Sequence, residues 1–121
     1  MIQNAPADWE CIQLCVNTSV MSFYLFLQSS RCDYIPYHSE IFCTLCYVIN
    51  RKGAEKLIKC PIVIGILPHI SEHWVYKNCK TYTYKYPMFT YPTDNDSLIH
   101  PSHLTAHVAS KNRITKYLKY K

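Results

Sequence analysis

Tyr47-Val48-Ile49-Asn50-Arg51-Lys52-Gly53-Ala54-Glu55-Lys56-Leu57 changes period at Asn50. The residues leading into it, 41–49, are rich in β-branched, aromatic and cysteine side chains, as in a strand buried on both faces. Beyond it, residues 52–59 place Ala54, Leu57 and Ile58 on one side of a helix, with Asn50 in the position of its cap. Pro61 ends that helix, because it has no N–H to donate and its ring clashes with the preceding turn. A strand that turns directly into a helix predicts an α/β fold.

The flanks extend the alternation. Residues 8–16 read as a short strand through Trp9, Cys11, Ile12, Leu14 and Val16. Residues 17–19 supply a turn, and residues 20–27 form a second strand or a brief helix. Residues 29–38, with Pro36 and many polar side chains, suit a loop. After the central helix, residues 62–66 are a short apolar stretch, and residues 73–76 belong to a short helix. Residues 80–86 read as a half-buried strand in which Tyr82, Tyr84 and Tyr86 alternate with Thr81, Thr83 and Lys85. Residues 87–92 are extended or irregular. Residues 101–120 read as a helix that Pro101 opens and Leu104, Val108, Ala109 and Leu118 stripe.

Composition narrows the class. The 121 residues make one domain or a piece of one. With 49% hydrophobic and 17% charged residues, disorder is excluded. The net charge of +5 raises a nucleic-acid role. However, the basic residues that cluster (Lys111, Arg113, Lys116, Lys119 and Lys121) resemble a solvated helix end more than a phosphate-binding surface. The longest apolar run, residues 20–27, is far too short to span a bilayer, and residues 1–10 are not a signal peptide. The seven cysteines are then expected as reduced thiols in a cytoplasmic setting.

Three constellations could carry chemistry. Cys43-Thr-Leu-Cys46 is a C-x-x-C pair, but within a strand residues three apart point to opposite faces, so small buried side chains are expected. His103 and His107 would share one face of a helix, without the glutamate that a zinc-protease motif needs. Asp94-Asn95-Asp96 could hold a divalent ion through its carboxylates, and it is equally the composition of a turn or a helix cap. The residues alone assign neither a metal site nor a cofactor site.

The central segment resembles glycosyltransferase family 25, in which a Tyr-apolar-apolar strand runs into an Arg/Lys-Gly-Ala helix start. Other stretches follow in the family's order: Ala5-Pro6-Ala7-Asp8-Trp9-Glu10 with Ile12-Gln13-Leu14, then Ser71-Glu72-His73-Trp74, Tyr86-Pro87-Met88-Phe89 and Asp96-Ser97. The run Asn95-Asp96-Ser97-Leu98-Ile99-His100-Pro101 is most similar to members from giant DNA viruses, which implies the host cytoplasm. The resemblance implies a GT-A-like domain that transfers a hexose from a nucleotide sugar to a hydroxyl acceptor such as a glycan, with Mn²⁺ serving the intact domain.

The family's Glu-Asp-Asp metal motif precedes the region that residues 1–14 resemble. Residues 1–121 are therefore expected to be one partial domain without the N-terminal nucleotide-binding half, inactive alone. Asp94 and Asp96 do not take over the metal role. Glu72 falls where the family has Asp, and a carboxylate role near the acceptor is expected of it. The alternative is a non-catalytic remnant that binds a glycan or a protein, whose half-sheet edge would favour association with another chain.

Overall fold

A computed structural model describes residues 2–16, 29–39, 41, 45–60, 71–86, 88–89 and 104–119. After a 3₁₀ turn at Ile2–Asn4 come strands β1 (Cys11–Gln13), β2 (Tyr34–Pro36) and β3 (Tyr47–Ile49). Helices α1 (Arg51–Lys59) and α2 (Ser71–Asn78), strand β4 (Thr81–Tyr84) and helix α3 (Leu104–Lys119) follow. The strands form one mixed sheet in the order β2-β4-β1-β3. β1 and β4 are parallel at its centre, and β3 and β2 run antiparallel on the two outer sides. This is an α/β fold in its general class.

The register divides the side chains between two faces. Cys11 and Gln13 share a face with Thr81 and Thr83, their partners across the parallel pair, and with Ile35, Tyr47 and Ile49. The described helices pack on this side. Cys11 and Ile49 meet Leu57 of α1 and Val75 and Tyr76 of α2. Ile35 joins Val16 and Ile41 against Ile114 of α3. The other face carries Ile12, Val48, Tyr34, Tyr82 and Tyr84, packed with Ala5, Trp9, Leu14 and Cys46.

Several expectations shift once the strands are placed. β3 is shorter than residues 41–49 and lies at the side of the sheet, so it is not buried on both faces: Tyr47 is 38% exposed. Of the three apolar residues assigned to the inner side of α1, Leu57 packs on the core, whereas Ile58 is 84% exposed. The stretch 29–38 is not all loop, since β2 lies within it. Pro36 is tolerated there because an outer strand has amides that pair with nothing inside the sheet. In β4 the threonines point into the helix-covered face and the tyrosines point away from it. Residues 20–27, 62–66 and 90–100 lie outside the described residues.

Asn50 makes the strand-to-helix corner. Its extended backbone (φ −84°, ψ 170°) precedes α1, and its Oδ1 accepts the Gly53 amide at 2.9 Å. Its carbonyl accepts the Ala54 amide at 3.0 Å. Its Nδ2 donates to the Trp9 carbonyl and its own amide to the Glu10 carbonyl at 3.0 Å, so the cap also holds the segment entering β1. Gly53 is buried against that segment. A Cβ there would lie 2.7 Å from the Glu10 carbonyl oxygen and 2.9 Å from Ile49 Cγ1. Gly53→Ala is expected to lower stability by about 1–2 kcal/mol in urea unfolding, because overpacking of about 1–3 kcal/mol outweighs a helix-propensity gain of about 1 kcal/mol.

Candidate functional site

Among the described residues, the Glu10 carboxylate is a highly connected polar group on the helix side of the sheet. Glu10 is 4% exposed, at the entry to β1 and under the first turn of α1. Its Oε2 accepts the Lys80 amide at 2.7 Å and the Lys56 ammonium at 3.1 Å, and its Oε1 lies 3.2 Å from Lys52 Nζ. Lys52 and Lys56 are one turn apart on α1, so both reach down one side of the helix. The Glu10 amide donates back to the Lys80 carbonyl at 2.9 Å, closing a two-way link between the starts of β1 and β4.

The Lys80 amide does most to pull the Glu10 carboxyl down to about 2. Lys56 and Lys52 add to it, and together they outweigh burial, which acts in the opposite direction. A carboxylate of such low basicity is a poor proton acceptor near neutral pH. Glu10 is an anchor, not a general base.

Around the anchor lie thiols and tyrosines. Burial pushes the Cys11 thiol up to about 12, with Cys79 adding to the effect. Burial also raises Cys79, helped by the negative charge of Glu10. Both are held protonated near neutral pH, which argues against a thiolate nucleophile. Cys60 Sγ donates to Asn78 Oδ1 at 3.3 Å, and Asn78 Nδ2 to the Trp74 carbonyl at 2.8 Å, linking the ends of α1 and α2. Beyond the strand, Tyr82 donates its hydroxyl to Asp8 Oδ1 at 2.9 Å, and Lys80 Nζ lies 3.8 Å from Asp8 Oδ2.

Glu72 stands in the first turn of α2, where the helix dipole favours a carboxylate. The Glu10 anchor is joined to Lys80, just past the other end of that helix. Cys46 is half-buried beside Ile12 and Val48, as a small core side chain. Cys43, Asp94, Asp96, His100 and His103 lie outside the described residues. His107 falls within α3, and Lys111, Arg113, Lys116 and Lys119 belong to the same helix.

Among the described residues no three His, Cys, Asp or Glu side chains converge as a metal site. None of Cys11, Cys15, Cys32, Cys46, Cys60 and Cys79 forms a disulfide. Among the described residues no helix is long and apolar enough to cross a membrane. Comparison of the chain with family models, curated proteins and solved structures finds no match.

Glu10 was not singled out by sequence reasoning, although a signal for it exists. Lys52 and Lys56 sit at i, i+4 on a helix whose one acid, Glu55, is already paired with Arg51 at 2.7 Å.

Two measurements test the anchor. Glu10→Gln keeps an acceptor for the Lys80 amide and removes the charge, so a loss of about 1–3 kcal/mol is expected at pH 7. An ordinary unfolded carboxyl near 4.3 titrates well above the folded one, so this stabilisation is present above the unfolded value and disappears as pH falls through the window down to about 2. Wild-type unfolding free energy should drop through that window, and the Gln variant should lack this part of the decline.

Proposed function

We propose that this chain is the acceptor-side part of a glycosyltransferase of the family 25 type, contributing to hexose transfer from a nucleotide sugar to a hydroxyl acceptor. One observation carries the reading. Two stretches that resemble the family, residues 5–14 and the central 47–57, form one packed unit, with Asn50 holding both Trp9 and Glu10 and Gly53 lying against the Glu10 carbonyl. The Gly of the motif then has a physical reason, since a side chain there would push the two stretches apart. The general α/β class agrees with a GT-A-like domain.

In this reading no step is assigned to a metal on this chain. Glu72, in the first turn of α2, would accept a hydrogen bond from the acceptor hydroxyl and orient it for attack. The second reading, a non-catalytic glycan- or protein-binding chain, is favoured by one observation: the buried Glu10 carboxylate has its oxygens taken by the Lys80 amide and two lysines and so serves the scaffold.

Saturation-transfer NMR with a panel of mono- and disaccharides at about 10 mM checks the acceptor side. Binding by wild type and a loss of at least about tenfold in Glu72→Gln, with the circular dichroism unchanged, is the expected outcome. Saccharide binding that ignores Glu72→Gln moves the chain to the non-catalytic reading. No saccharide contact at all removes both glycan readings. A parallel arm with UDP-glucose, UDP-galactose and Mn²⁺ should give no thermal stabilisation.

A further inference from the structure

The two sides of the sheet are defended unequally. On the β2 side, Pro36 has no amide to offer and the neighbouring Arg31 and Asp33 are charged and exposed, devices that keep a strand edge from pairing with other chains. On the β3 side, Leu45-Cys46-Tyr47-Val48-Ile49 holds no charge, no proline and no glycine. Leu45 is 55% and Tyr47 38% exposed there.

The backbone of β3 points outward at alternate residues. Leu14 donates to the Cys46 carbonyl and Asn50 to the Glu10 carbonyl, both at 3.0 Å. In the antiparallel ladder, Cys46, Val48 and Asn50 therefore turn their polar groups toward β1. Tyr47 and Ile49 turn theirs away from the sheet, with no hydrogen bond to the described residues on that side.

We propose that this edge is a self-association surface, where two copies of the chain join antiparallel about a two-fold axis at Val48. Tyr47 of each copy then exchanges hydrogen bonds with Ile49 of the other, and the two Val48 residues face one another between these pairs. The opposed Tyr47 and Ile49 side chains lie on the helix-covered face, an aromatic and β-branched pair of the kind that stabilises sheets.

Charge fits the same arrangement. Arg51, the first charged residue after the strand, comes opposite Leu45 of the other copy. The two Arg51 residues stand roughly 20 Å apart, beyond the screening length of about 8 Å. A contact of this length is smaller than a standard interface, so a dissociation constant on the order of tens of micromolar is expected. The proposal stands apart from glycosyl transfer and holds whichever reading of function is right.

Sedimentation equilibrium of the full chain from about 5 to 500 µM, paired with amide hydrogen exchange, tests it. A monomer–dimer equilibrium is expected, with the Tyr47 and Ile49 amides slowing as dimer forms and the Val48 amide slow throughout. Tyr47→Pro removes an outward N–H without touching the ladder to β1 and should leave a monomer of unchanged circular dichroism. Leu45→Lys sets a like charge against Arg51 and should weaken association at least about fivefold, while Leu45→Glu should not. The Leu45 pair decides the matter if Tyr47→Pro fails to fold. A chain that stays monomeric to 500 µM overturns the proposal. So does a dimer indifferent to these substitutions, or a monomer whose Tyr47 and Ile49 amides are already slow.

Discussion

A buried carboxylate that accepts the amide of a residue 70 positions away is the constraint around which this molecule is arranged. A charge in that position is tolerable only when its oxygens are filled, and Glu10 fills them with the Lys80 amide and two lysines of α1. The contributions are unequal. Lys52 and Lys56 remain 75% and 53% exposed, so each pair is worth about 1 kcal/mol or less. The Lys80 amide lies at the junction of β1 and β4, and a charge-assisted bond of that kind contributes about 1.5–3 kcal/mol. The lysines turn the helix toward the sheet, and the amide brings the central strands together.

The helix-covered face of the sheet has an unusually polar floor. Gln13 and Thr83, cross-strand neighbours and fully buried, bond to each other at 2.8 Å. Lys85 is buried on the same face, where its ammonium reaches the Ser30 carbonyl. A one-residue slip of β4 would break the Gln13 bond and turn the tyrosines toward the helices, so the polar pair specifies the register as much as it stabilises it. On the opposite face Tyr34 and Tyr84 pack at 5.3 Å between centroids.

Local chemistry was legible in the sequence, and pairing over distance was not. The Asn50 cap, the helix after it, the α2 segment and the alternation in β4 all follow from neighbours within a few positions. The position of β3 in the sheet, the strand within residues 29–38 and the outward turn of Ile58 depend on which strand lies beside which. A short apolar run carries no mark of that. Glu10 was hidden for the same reason, since its main partner is a backbone amide that any residue at position 80 other than proline would supply. Glu72 was missed in a different way: the helix expected at residues 73–76 left it out, whereas α2 begins at Ser71, and the carboxylate's task rests on a resemblance.

The link between Glu10 and Lys80 also sets a timetable. A ribosome must deliver 70 residues beyond Glu10 before the first strand can meet its parallel neighbour, and until then α1 has only Glu10 and the strand before it to lean on. Such distant closures are slow, because the entropy of the intervening loop is lost before any contact repays it. Until β4 arrives, one side of β1 stays without its central partner, an unpaired strand edge of the kind that favours aggregation.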